Sequence, residues 1–152
     1  MKKILFVCTG NTCRSPMAEA FGRYFADFMD ISDQVEFGSA GIAAFNGDPA
    51  NESAAKIMSE EGLDLSNHQT RKLTPDMVAD YDLIYLMADD YQSVIIEAYP
   101  QSVSKFRLLG EGTDDPYGGD LEEYRVSSAI IKMYVKDLVN NMKEKSDGFW
   151  NL

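Results

Sequence analysis

Cysteine and histidine are nearly absent from this chain, and basic residues are few. Its 152 residues hold two cysteines, Cys8 and Cys13, and one histidine, His68. That inventory excludes a disulfide framework and a four-cysteine metal site, and it leaves no imidazole set for a histidine-rich one. Lys and Arg total 14 against 25 Asp and Glu, a net charge of -11 that opposes association with nucleic acid or anionic lipid. Any bound anion must therefore be held by a local site. Long apolar runs are missing too. The longest, Ile4 to Cys8 and Leu83 to Ala88, have only strand length, and the run after the two N-terminal lysines is too short for a secretory leader. A cytoplasmic protein is expected. With 45% hydrophobic and 26% charged residues the composition is that of an ordinary globular protein. The length suits one domain, residues 1–152, able to bury its own core.

The run Lys2 to Cys8 is rich in β-branched and aromatic residues and is closed by Thr9-Gly10-Asn11, so it reads as a strand buried on both faces. Ser15-Pro16 then supplies a helix cap and a proline at the first helical position. Met17, Phe21, Tyr24 and Phe28 recur at helical spacing, and with Phe25 these aromatics read as core. Val35 to Ser39 is a second short strand, and Asn51 to Gly62 a helix with Ala54, Ile57 and Met58 inward. Thr74-Pro75 opens a short helix, Asp82 to Met87 is an apolar strand, and Asp90 to Ala98 is helical before Pro100. Val103 to Leu109 reads as the fourth strand and Gly110 to Gly119 as a loop. From Leu121 through Tyr124, Ser128, Ile131, Val135, Leu138 and Met142 one face of a closing helix is traced, with Phe149 and Trp150 docking the chain end. Strands alternating with helices predict an α/β fold: a doubly wound parallel four-stranded sheet with helices on both faces.

In such sheets ligands sit beyond the carboxyl ends of the strands, and the loop after the first strand is the usual place. Here that loop is Cys8-Thr9-Gly10-Asn11-Thr12-Cys13-Arg14-Ser15. It lacks the lysine of a Walker loop and the glycines of a dinucleotide fingerprint. A short loop between a strand end and a helix start can turn successive N–H groups inward as a nest for a tetrahedral oxyanion, with Gly10 letting the backbone close. Arg14 adds a planar fork of donors that a lysine cannot match. The same amides and guanidinium would stabilise a thiolate on Cys8, making it a nucleophile. Cys-x5-Arg-Ser thus joins a nucleophile to the clamp of its own transition state.

The stretch Cys8 to Glu19 resembles the signature of the low-molecular-weight protein tyrosine phosphatases, and Asp115-Pro116-Tyr117 resembles their second motif. The resemblance spans nearly the whole chain. It implies that Ser39 and His68 belong to a hydrogen-bond network with Asn11 and Ser15, and that Asp115 is the acid that protonates the leaving group. Taken alone, Asp115-Pro116 would be a turn initiator. Asp114 is adjacent and could compete, but the residue directly before proline matches the motif. A reversible disulfide between Cys13 and Cys8 is geometrically plausible across this turning loop, and the resemblance implies a protective redox role for Cys13. Phe45 and Tyr117 are expected as pocket walls.

Thr12 stands where tyrosine-specific members carry a bulky aliphatic residue, and Gly118 follows Tyr117 where many have a second tyrosine. Both features resemble the protein-arginine phosphatase branch, and a threonine hydroxyl suits a guanidinium where isoleucine would pack on a phenol ring. The expectation is a metal-independent cysteine phosphatase acting on phosphoarginine in proteins, with phosphotyrosine as the alternative. It needs no cofactor and is expected to be a monomer whose partner is a phosphorylated protein or peptide, without nucleic acid or membrane. An arsenate reductase would need further cysteines for its relay. A noncatalytic phosphate-binding module would need neither Cys8 nor Asp115.

Overall fold

A strand with neighbours on both edges and helices over both faces has no side left for polar residues. Ile4, Leu5, Phe6 and Val7 of β1 (Lys2–Cys8) are fully buried for that reason. β1 pairs in parallel with β2 (Val35–Gly41) and β3 (Leu83–Leu86), and β4 (Phe106–Leu108) pairs in parallel with β3. The order is β2-β1-β3-β4, so the winding reverses at β1 and the loops leaving β1 and β3 meet at one edge. The computed structural model describes residues 1–146, so Phe149 and Trp150 lie outside the described residues.

Alternate residues of β1 serve two cores. Ile4, Phe6 and Cys8 pack with Met17 and Phe21 of α1 (Arg14–Phe28), Ile57 of α2 (Glu52–Glu60) and Ile131 and Val135 of α5 (Leu121–Ser146). Leu5 and Val7 pack on the opposite face with Val78 of α3 (Pro75–Asp80) and Ile95 of α4 (Gln92–Ala98). This single domain is the expected doubly wound four-stranded parallel α/β sheet with helices on both faces.

Three local expectations are corrected. Ser15 does not cap α1: the helix begins at Arg14 with Cys13 at the cap position and no side-chain cap bond, because the Ser15 hydroxyl is engaged with Cys8 and Asn11. Tyr24 and Phe28 are not core, being 45% and 73% exposed. The buried arc of α1 runs through Phe21 and Phe25 to the small residues Ala18, Gly22 and Ala26, which leaves Tyr24 and Phe28 at its rim, stacked on each other. Of the fourth strand only Phe106–Leu108 pairs, since it is an edge strand meeting the four-residue β3, and Val103–Lys105 coils into a 3₁₀ turn.

Candidate active site

The loop from Thr9 to Cys13 joins the end of β1 to the start of α1. Its carbonyls are drawn outward: Cys8 O accepts from the Ile42 amide, Thr9 O from Ala43 and Thr12 O from Asn51, each at 2.9 Å. Asn11 O lies 2.7 Å from His68 Nε2, and since a carbonyl only accepts, that nitrogen carries the hydrogen. In a trans peptide the N–H points opposite to the C=O, so these contacts turn the amides of Thr9, Gly10, Thr12 and Cys13 toward the other side of the loop. Gly41, at the end of β2, closes on the loop from behind. A Cβ there would sit 2.6 Å from Thr9 O and 2.9 Å from Asn11 N.

Asn11 holds the left-handed conformation, φ 58°, that residues other than glycine rarely adopt. It is fully buried, and its side chain is used at both ends. Oδ1 accepts from the Arg71 amide at 2.9 Å, while Nδ2 donates to Ser15 Oγ at 2.9 Å and Ser39 Oγ at 3.0 Å. Ser39 in turn donates to Glu19 Oε1 at 2.6 Å. Ser15 Oγ, already an acceptor from Asn11, lies 2.9 Å from Cys8 Sγ and 3.5 Å from Ala40 O, to which it can donate. The Ser15 hydroxyl and the inward amides therefore face the Cys8 sulfur from one side of the loop.

Arg14, 4% exposed at the first residue of α1, is held by neutral acceptors. Nη1 donates to Thr113 O at 3.0 Å and Nη2 to the Tyr91 hydroxyl at 2.8 Å. Asp115 Oδ2 lies 3.7 Å from the same Nη2, while Asp115 Oδ1 accepts the Tyr117 amide at 3.1 Å. The Asp-Pro turn is thus real, and the same carboxylate faces the guanidinium. Cys8, Thr9, Gly10, Thr12, Cys13, Arg14, Asp115 and Tyr117 line one cleft of about 210 Å³. That arrangement can hold a tetrahedral anion over a sulfur nucleophile with a carboxyl group at the mouth.

Cys13 also lines the cleft, but its thiol is buried beside Tyr124, whose hydroxyl lies 3.5 Å from the sulfur. Burial pushes the Cys13 thiol up, and burial likewise raises the Tyr124 phenol. Both cysteines are free. Phe45 is not among the residues lining the cleft. It stands 80% exposed, its carbonyl accepting from Thr70. Sequence reasoning missed Tyr91, Thr113, Arg71 and the part played by Glu19. Glu19 lies inside the signature, whereas the others reach the loop only through tertiary contacts. Among the described residues no group of three or more His, Cys, Asp or Glu side chains is placed to hold a metal ion, and no helix is long and apolar enough to cross a membrane.

Relatives differ in the activity attached to their names. The chain is 35% identical over 136 residues to a probable low molecular weight protein-tyrosine-phosphatase, EpsP, of Ralstonia solanacearum, covering 87% of this chain and 90% of the relative. It is 32% identical over 148 residues to the protein-arginine-phosphatase of Geobacillus stearothermophilus, covering 93% and 96%. It is also 34% identical over 141 residues to arsenate reductase 1 of Staphylococcus epidermidis, covering 93% and 98%. Among solved structures, the YwlE arginine phosphatase of G. stearothermophilus superposes with a TM-score of 0.89 at 28% identity over 100% of both chains. A cysteine-to-serine variant of YwlE carrying a phosphorylated active-site serine gives 0.88 at 28% identity over 95% and 98%. Residues 3–147 match the family of low molecular weight phosphotyrosine protein phosphatases, so the chain belongs to that family and is a cysteine-based phosphoprotein phosphatase whose nucleophile works without a metal.

Proposed function

We propose that this phosphatase hydrolyses phosphoarginine on proteins, with Cys8 as nucleophile, Arg14 as clamp and Asp115 as acid and then base. In the first step Cys8 Sγ forms a bond to phosphorus as the P–N bond breaks, and Asp115 gives its proton to the departing guanidine nitrogen. The inward amides and Arg14 carry the charge on the three phosphoryl oxygens. In the second step water attacks the phosphocysteine, the S–P bond breaks, and the Asp115 carboxylate takes the water's proton. Inorganic phosphate leaves. The phosphorylated active-site serine of the YwlE variant supports a phosphoenzyme intermediate in this family.

The observation that carries the substrate choice is Thr12 in the cleft lining, with Cys8, Arg14 and Asp115 around the same space. A threonine offers a hydroxyl to a guanidinium or to the attacking water, and Gly118, at φ 84° with no atom within 4 Å of its missing side chain, puts no second aromatic next to Tyr117. Tyr117 favours the second reading, phosphotyrosine, since a mostly exposed aromatic wall in the cleft can pack against a phenol ring. Side-by-side kcat/KM on phosphoarginine and phosphotyrosine peptides decides between them. Thr12→Ile is expected to lower the first and raise the second. A wild type that prefers phosphotyrosine, or equal loss on both substrates, would transfer the assignment to phosphotyrosine. Cys8→Ser is expected to abolish turnover while still binding vanadate.

A further inference from the structure

Tyr91 belongs to none of the motifs that carry the family resemblance. It lies in the 3₁₀ turn Asp89–Tyr91 after β3, buried with Leu5, Val7 and Leu86 on the face of the sheet away from α1. Its ring is core, but its hydroxyl reaches through to the anion loop. There it meets Arg14 Nη2 at 2.8 Å and Thr9 Oγ1 at 2.5 Å. A guanidinium only donates, so the phenol oxygen accepts from Arg14 and is left to give its own hydrogen to Thr9. One hydroxyl thus ties the clamp to the first residue of the loop it serves.

Donor arithmetic shows what this does for Arg14. Of five N–H donors, one on Nη1 goes to Thr113 O and one on Nη2 to Tyr91. Nε–H and one hydrogen on each Nη remain for the phosphoryl oxygens, with Asp115 Oδ2 3.7 Å from Nη2. The chemical nature of the acceptor matters as much as its place. A carboxylate at the Tyr91 hydroxyl would neutralise the guanidinium where charge on the phosphoryl group must be stabilised, whereas a neutral phenol orients it and leaves its charge undiminished. Burial raises the Tyr91 phenol above its ordinary range, which favours the neutral form. Among the described residues the carboxylate paired with Arg14 is Asp115, 3.7 Å from Nη2 and half exposed at the cleft mouth.

We propose that Tyr91 is a positioning residue of the phosphatase reaction, its hydroxyl holding Arg14 in register with the anion loop so that the fork meets the phosphoryl group in the transition state. The inference rests on the reading of Arg14 as clamp. The test is steady-state kinetics on 4-nitrophenyl phosphate with Tyr91→Phe, Arg14→Ala and the double variant. Tyr91→Phe keeps the buried ring, so its melting temperature is expected to stay within a few degrees of wild type. Its kcat is expected to fall about 10- to 30-fold with KM moving less than about threefold. In the Arg14→Ala background the same substitution is expected to change kcat by less than about twofold, because no guanidinium is left to orient. Unchanged kcat in Tyr91→Phe, or the same loss in both backgrounds, would overturn the proposal, the latter because a purely structural effect ignores the partner. Wild-type turnover in Arg14→Ala alone would overturn the clamp reading itself, and this proposal with it.

Discussion

Cys8 and Cys13 occupy one short loop, yet their surroundings assign them opposite chemistry. Cys8 lies against the Ser15 hydroxyl at the floor of the anion loop, whereas the Cys13 thiol is buried beside Tyr124 and burial pushes it up. Iodoacetamide at neutral pH is therefore expected to label Cys8 first and inactivate the enzyme, and vanadate to protect it. Peptide mapping that found Cys13 labelled first would reverse the assignment. With Asp115 as the proposed acid, Asp115→Asn is expected to slow a poor leaving group by about 10²- to 10⁴-fold, with a smaller loss on an already acidic phenol. Asp114→Asn is the control, and a larger effect there would move the acid by one residue. The pairing of Cys8 with Arg14 was legible because both belong to one short stretch of chain. Tyr91 and Thr113 were not, since they reach Arg14 across 77 and 99 residues, a proximity that only the folded sheet creates.

Among the elements, α1 shows where periodicity succeeds and where it misleads. Large aromatics at helical spacing located the helix, but the small residues on its other flank set its true buried arc. Gly22 is the sharpest case: a Cβ there would lie 2.9 Å from two atoms of the Phe37 ring, which is itself buried and stacked on Phe6. Gly22→Ala gains helix propensity of roughly 0.5–1 kcal/mol, but overpacking a ring that cannot retreat costs roughly 1–3 kcal/mol. The expected sum is a net loss of about 1 kcal/mol, read as a lower urea midpoint with unchanged slope. A gain in stability would mean that α1 and β2 separate easily. The order of strands and helices was legible because each buried strand is a short apolar run bounded by turn residues. The last strand was the least so, since an edge strand with one partner needs little apolar sequence to form.

At the scale of the whole molecule, a strongly acidic protein takes an anionic group into a small cleft built from amides and one guanidinium. The net charge of -11 repels acidic substrates at a distance, while the loop attracts only at contact. Raising ionic strength from about 0.01 to 0.15 M shortens the Debye length from roughly 30 to 8 Å. Over that range kcat/KM is expected to rise for phosphopeptides with acidic flanks and to fall for those with basic flanks. The same trend in both would show that long-range charge does not steer encounter. The charge balance was read from composition alone. The cleft's occupants were not, because Phe45 and Tyr117 were assigned as walls without a fold to place them, and only Tyr117 lines the cleft.

The left-handed turn at Asn11 carries a thermodynamic consequence. Ser15, Ser39, Arg71 and His68 come from α1, β2 and the segment between α2 and α3, and together they hold Asn11 in place. The loop's conformational entropy is therefore lost when the chain folds, not when an anion arrives. Phosphate should enter a finished site, in a single kinetic phase and without slowing hydrogen exchange at distant amides below the global unfolding limit. Because the loop is anchored to the central strand, its binding energy should appear as resistance of the entire domain to melting, about 2.7 kcal/mol at a hundredfold excess over Kd. Calorimetry with inorganic phosphate would show one sharpened transition moved upward, and a separate low-temperature step suppressed by phosphate would mean that the loop folds on its own schedule.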